Sequence, residues 1–292
     1  MILESVPNFS EGRRREVCEA IAAAAAEARV LGLSLDANHN RSVLTLAGEP
    51  EALGRAAFAA AKKAVELIDL TKHQGEHPRM GAIDVLPFIP LKDATMADAV
   101  ALAKSVGRRI GDELGVPVFL YESAATRPER KNLADIRKPQ FEGLRDLIGK
   151  DPERTPDFGP SRIHPTAGCV AVGARPFLIA YNVDLESQDL ALAKRIAKRI
   201  RERDGGLPGI KALGLFLEDR RCAQVSINVC DFTRTGLLAV FEAVRALAAE
   251  AGVDVRSSEV VGLVPQAALP PDHLRALKLA GFTPDLVLDS HL

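Results

Sequence analysis

Hydrophobic and polar positions along the chain change period several times, and the order of those changes predicts the fold. Residues 2–6 (ILESV) read as a short strand. A helical period covers 13–28, with Ser10 placed upstream as its N-cap. Strands are expected at 30–35 (VLGLSL) and 42–47 (SVLTLA), the second stopped by Gly48-Glu49-Pro50. An Ala-rich amphipathic helix spans 51–68, and a fourth strand spans 83–89 (IDVLPFI). Pro87 argues for an edge or a bulge there, because proline cannot donate to a ladder. The resulting order, β-α-β-β-α-β, is the split-βαβ pattern. A helix over 95–114 and a strand over 116–121 extend it.

Residues 122–165 break the rhythm with Pro128, Pro139, Pro152, Pro156, Pro160 and Pro165. They read as a long excursion with one short helix near 140–148, and excursions of that length are commonly functional. The second half then repeats the first pattern. Strands are expected at 177–183, 210–217, 223–229 and 258–264, with helices over 187–203 and 233–251. The helix over 187–203 is basic, but Ile196 and Ile200 keep one of its faces apolar. The fold class is therefore mixed α+β or α/β: two subdomains, 1–175 and 176–292, each a sheet with helices on one face in ferredoxin-like order. A cleft between two such layers is a natural ligand site. The stretch 286–289 (LVLD) is also strand-like.

Composition narrows the function. Lys plus Arg is 38 against 39 for Asp plus Glu, so no basic excess points to nucleic acid. Aromatic residues are 4% with no Trp, which leaves little material for base stacking. The longest apolar run, 20–26, is far short of a membrane span of about 20 residues. Met1-Ile2-Leu3-Glu4 lacks the basic start and apolar stretch of a signal peptide. Cys18, Cys169, Cys222 and Cys230 show no CxxC spacing and fit free thiols, so a cytoplasmic protein is expected.

The densest polar constellation is KHQGEHPR, 72–79. His73 and His77 have the i, i+4 spacing of a zinc pair, but Gly75 and Pro78 break helices and Glu76 is out of place for HExxH. The alternative is an irregular loop holding His77 rigidly before Pro78, as a general acid–base group or as a plain backbone-bonding histidine. DANHNR, 36–41, puts Asp36 at a strand end and Arg41 beyond an ordinary turn. SVPNFSEG, 5–12, offers backbone N–H groups at a helix start for a carboxylate. DFGPSRIHPTAG, 157–168, is a shaped loop of the kind that lines planar ligands, and is neither a P-loop nor GxGxxG. RPERKNLADIRK, 127–138, carries five basic residues against two acidic, either to meet a polyanion or as a solvated face.

Together VPNFSEG (6–12), GEHPRMGAIDVLPFIP (75–90), PDFGP (156–160), GARPFLIAYN (173–182) and AQVSINVCDF (223–232) resemble the glutamate formiminotransferase family, the formiminotransferase part of formiminotransferase–cyclodeaminase. The resemblance runs from about residue 2 to 270. It implies two α/β subdomains, a homodimer and no metal. It also implies transfer of a formimino group from N-formimino-L-glutamate to N5 of tetrahydrofolate, in histidine degradation and one-carbon metabolism.

The family's catalytic histidine falls on His77, with Asp36 or Glu76 expected to orient its ring. Its folate loop falls on Gly159, Pro160, Ser161, Arg162, Ile163, His164, Pro165, Thr166, Ala167 and Gly168. Arg41, Arg79 and Arg175 are candidates for substrate carboxylates, by bidentate pairing. The turn after Asp36 is shorter than in the animal enzymes. No cyclodeaminase region follows, so a separate deaminase is the expected partner. Two alternatives stay open: an N-formylglutamate donor, which would make the protein a folate-dependent formyltransferase, and a folate-binding homologue without turnover.

Overall fold

The chain divides into two units, the first Met1–Arg175 and the second from Pro176 onward. A computed structural model describes residues 1–291. The first unit begins with a broken strand, β1 (Leu3–Ser5) and β2 (Asn8–Phe9). Next come α1 (Arg15–Ala24), β3 (Arg29–Asp36), β4 (Arg41–Gly48), α2 (Pro50–Leu67) and β5 (Ile83–Pro90). β3 pairs with β4, β4 with β1 and β2, and these with β5, all antiparallel. That is the anticipated split-βαβ sheet. Then α3 (Met96–Leu114) leads to β6 (Val118–Glu122), and α4 (Leu133–Arg137) and α5 (Gln140–Leu147) precede β7 (Val170–Ala174). β7 inserts between β5 and β6, parallel to both, completing a seven-stranded sheet.

Local chemistry accounts for the boundaries. α2 carries Pro50 in its first turn, where a missing N–H costs nothing. α3 opens on a reciprocal Thr95–Asp98 capping box and closes on Gly115 at φ +64°. Leu44, Leu46, Leu86 and Phe88 of the sheet pack with Ile21, Leu53, Ala60 and Ile110 of the helices. Met80, Val85, Phe119 and Tyr121 form a second cluster with Ile136 of α4 and Leu144 of α5.

Four expectations need correction. Ser10 does not cap α1: its hydroxyl donates to Gly81 O, and the Glu11 carboxylate instead accepts from Arg13 N and Arg14 N. Pro87 is not on an edge. It lies inside the sheet, in register with Gly173 of β7, where the partner strand breaks between β1 and β2, and Ser5 Oγ donates to its carbonyl. The excursion holds α4 and α5 rather than one helix, with single 3-10 turns at Pro128–Arg130 and Pro152–Arg154. Residues 286–289 are not a strand; 3-10 turns cover Pro284–Leu286 and Leu288–His291.

The second unit runs β8 (Ile179–Leu185), α6 (Leu190–Ile200), β9 (Ile210–Leu217), β10 (Cys222–Val229), α7 (Leu237–Ala249) and β11 (Val255–Val261). Its sheet order, β11-β8-β10-β9, is the same split-βαβ arrangement, and a short α8 (His273–Ala276) follows. α6 buries Ile196 and Ile200, as its pattern requires. Among the described residues no helix is long and apolar enough to cross a membrane.

Glu4 is 3% exposed, and burial raises its carboxyl to about 7 against the pull of the Arg175 guanidinium. The folded chain therefore holds a proton that the unfolded chain releases near 4.5, and stability falls as pH rises from there through 7. Glu4→Gln is expected to raise the melting temperature at pH 8 and change it little at pH 5. Melting curves at the two pH values check this, and equal shifts at both would contradict it.

Candidate active site

β3 and β4 close a hairpin in which Asp36 and Arg41 stand opposite each other across a four-residue turn. Asn40 takes the left-handed conformation there, at φ 49°, which asparagine tolerates. Asp36 Oδ1 accepts from Asn38 N and His39 N, each at 2.9 Å, and Oδ2 lies 2.6 Å from His39 Nδ1. These bonds, the His39 amide first, hold the Asp36 carboxyl below its ordinary range.

The 72–79 loop rests on this tip. A Cβ on Gly75 would sit 2.4 Å from His39 O, so only glycine permits the approach. Asn40 Nδ2 donates to Gln74 O at 2.9 Å. The loop then presents His77, whose ring meets that of His39 edge-on at 6.2 Å. A cavity of about 230 Å³ is lined by Ser34, Asp36, His39, Arg41, Val43 and His77.

A β-bulge supplies the remaining charge. Asn8 pairs with Val85 and Phe9 with Ile83, so Asp84 is the extra residue in β5 and its side chain is re-aimed. Asp84 is 1% exposed. Oδ1 accepts from Met80 N at 2.9 Å; Oδ2 accepts from Arg41 Nη1 at 3.1 Å and lies 2.7 Å from Arg137 Nη2. Asn8 Oδ1 fixes the other side of Arg41, accepting from Nε and Nη2 at 3.0 and 2.8 Å.

Arg41 Nη1 stands 2.7 and 3.0 Å from Nδ1 and Nε2 of His77. Nδ1 is also 2.6 Å from Pro78 O, a contact that only a protonated Nδ1 can use, so the bonding pattern assigns the lone pair to Nε2. Burial first, then the guanidinium groups of Arg41 and Arg137, push His77 down to about 4. The imidazole is neutral at pH 7 and able to accept a proton.

The other expected residues fall variously. Glu76 is exposed; its N–H donates to Asn38 O, and its carboxylate touches no part of His77 among the described residues. Arg41 and Pro78 O hold the His77 ring, not Glu76 or Asp36. Arg79 is already satisfied: its Nη atoms pair with both Glu142 oxygens at 2.8 and 2.6 Å, and Nε donates to His73 Nδ1. His73 Nε2 faces Asn40 O, so His73 and His77 are engaged separately and do not converge as a metal pair. The amides at this helix start are used internally, Ser10 N by Ala82 O, Gly12 N by Asn40 Oδ1 and those of Arg13 and Arg14, just beyond the motif, by Glu11.

The basic stretch 127–138 is no solvated face throughout, since Arg130 is buried against Asp157 and Arg137 reaches Asp84. In the 159–168 loop, His164 and Gly168 exchange backbone bonds, and His164 Nδ1 accepts from Thr166 N and Ala167 N. Thr166 O and Ala167 O accept from Leu70 N and Ala82 N, which docks this loop against both ends of the His77 segment. Gly159, Ser161, Arg162 and Pro165 remain exposed, and Pro160 and Ile163 half-buried. Burial raises the thiol of neighbouring Cys169, leaving it no nucleophile. Asn8, Asp84 and Arg137 were not foreseen as site residues. Asp84 and Asn8 stand in the motifs 75–90 and 6–12, the one signal that could have found them.

Comparison with known proteins identifies the family of the whole chain. Residues 2–175 match the formiminotransferase domain, N-terminal subdomain, and residues 180–272 the formiminotransferase domain. The chain is 49% identical to a glutamate formimidoyltransferase of Streptococcus pyogenes, over 92% of this chain and 90% of that one. It is 45% identical to a glutamate formimidoyltransferase of Thermoplasma acidophilum, over 99% and 96%. It is 43% identical to the formimidoyltransferase-cyclodeaminase of Mus musculus, over 92% of this chain and 51% of that one.

Proposed function

This chain belongs to the formiminotransferase domain family, and from that premise we propose that it moves the formimino group of N-formimino-L-glutamate to N5 of tetrahydrofolate, with His77 carrying the proton. The observation that supports the role of His77 is its neutral ring, fixed through Pro78 O and Arg41 at the wall of a cavity shared with Asp36. Folate N5 bonds to the formimino carbon, which becomes tetrahedral. His77 Nε2, released from Arg41 Nη1 as the donor carboxylate engages that guanidinium, accepts the N5 proton and returns it to the glutamate nitrogen as the carbon–nitrogen bond breaks. Glutamate and 5-formimino-tetrahydrofolate leave. Holding the two substrates in contact supplies much of the remaining acceleration.

The Gly159–Gly168 loop is assigned to the folate, Arg41 to a donor carboxylate, and Asp36 to orienting His39 at the cavity wall. A cytoplasmic homodimer, with a cyclodeaminase consuming the product, completes the reading. Mass spectrometry of the folate after incubation with tetrahydrofolate and either formiminoglutamate or formylglutamate tests the reaction. Formimino-folate from the first donor is expected. Formyl-folate from the second alone, or no product from either, overturns the assignment.

The pH dependence follows from the charge around His77. Since its pKa lies near 4 in the free protein, kcat/KM is expected to hold through pH 6.5 and fall only toward 4. In the complex, a donor carboxylate offsets the guanidinium groups, so the acid limb of kcat sits at higher pH than that of kcat/KM. Initial-rate profiles from about pH 3.5 to 8.5 check both limbs, and coincident limbs near 6.5 would contradict the assignment.

A further inference from the structure

We propose that Arg137, delivered by α4 from the proline-rich excursion, binds substrate directly: with Arg41 it holds the α-carboxylate of the glutamate donor. The proposal rests on the formimino-transfer reading and adds a residue to it. The argument starts from charge. Two largely buried guanidinium groups share one carboxylate, Asp84, beside a neutral imidazole, which leaves one positive charge in excess. Buried like charges are costly, and a second anion relieves that cost.

Hydrogen bonding points the same way. Nε and Nη2 of Arg137 are fully buried and have no aligned acceptor among the described residues. The 2.7 Å approach of Nη2 to Asp84 Oδ2 is an ion contact without hydrogen-bond alignment. Asp84 cannot do more, since its oxygens already accept from Met80 N and Arg41. Arg130, on the same excursion, shows what a purely structural arginine looks like here: its side chain is 3% exposed against 14% for Arg137, and its guanidinium is matched by Asp157, Glu153 O and Thr155 O. Buried donors left over in a folded protein call for an explanation, and a ligand carboxylate supplies two oxygens in the geometry a guanidinium fork prefers.

The reaction decides which carboxylate. The leaving nitrogen must lie within reach of His77 Nε2, and the α-carboxylate carbon is two bonds from that nitrogen. The γ-carboxylate is two methylene groups further away. Arg41 touches His77, and Arg137 touches the same Asp84 oxygen as Arg41. The cationic pair therefore lies at the α-carboxylate's distance.

The test compares three donors: formiminoglutamate, formimino-γ-aminobutyrate, which lacks the α-carboxylate, and formimino-α-aminobutyrate, which lacks the γ-carboxylate. The preference of the unaltered protein for donors bearing the α-carboxylate, as a kcat/KM ratio, is expected to fall about 10- to 100-fold in Arg137→Met. The KM for tetrahydrofolate should stay within about threefold. Arg137→Lys, which keeps a charge beside Asp84 and protects the fold, should lose an intermediate share of the ratio. Equal losses on all three donors in both variants would mean a structural role and overturn the proposal. If the unaltered protein transfers no formimino group, the reaction assignment fails first. Calorimetric binding of formiminoglutamate then still reads Arg137 directly: weaker binding in Arg137→Met keeps the proposal, and equal binding overturns it.

Discussion

His77→Ala is expected to turn over about 10² to 10⁴ times more slowly than the parent chain, with tetrahydrofolate affinity unchanged. The size follows from what is lost: alanine keeps the loop but removes the Nε2 lone pair. The ring contributes only one side of the cavity, and Arg41 remains braced by Asn8 and Asp84. Binding and turnover should therefore separate. Steady-state rates beside equilibrium folate binding make the comparison, and partial recovery with added imidazole would place the defect at the proton transfer. A variant that keeps its rate within threefold of the parent would remove His77 from the mechanism.

Asp84→Ala is expected to be the most destabilising change in the site. Removing the carboxylate leaves Arg41 and Arg137 buried against each other without a counterion, a situation that costs about 3–5 kcal/mol. For a unit of this size that corresponds to a melting temperature lower by about 10 °C or more. A second substitution makes the cause visible: Asp84→Ala with Arg137→Met removes one of the two like charges and should recover a good part of the loss. Thermal melts of the parent, the single variant and the double variant decide it. A single variant that melts within about 2 °C of the parent would show that Asp84 is not the keystone of the cluster.

The sequence made some parts of this site plain and hid others, for physical reasons. Amphipathic periods located α1, α2, α3, α6 and α7, because those helices bury one face and expose the other, whereas α4, only five residues long, is too short to show a period. His77 stood out through its motif and the proline after it. β7 escaped because Val170–Ala174 is buried at every position, so a parallel strand inside the sheet shows no alternation to read. Asp84 escaped because a strand pattern assigns side chains to faces in strict alternation, and the bulge that turns this one inward is set by how β2 pairs with β5. Arg137 escaped because 53 residues separate it from Asp84 and the excursion's prolines gave no hint of two short helices. Arg79 was misread for the opposite reason: its place in the motif suggested a ligand, while Glu142 on α5 had already taken both of its outer nitrogens.

The register of the β3–β4 hairpin carries an implication for how such a site can diversify. Arg41 is anchored from behind by Asn8 and Asp84, on strands that do not belong to the turn, whereas the His39 side chain is bonded within the turn, to Asp36, and otherwise meets the His77 ring edge-on. Residues can be gained or lost between Asp36 and Arg41 without disturbing the strand pairing that places the guanidinium. Such a hairpin separates two heritable properties. The depth and shape of the cavity mouth can drift with turn length, while the charge that organises His77 stays fixed.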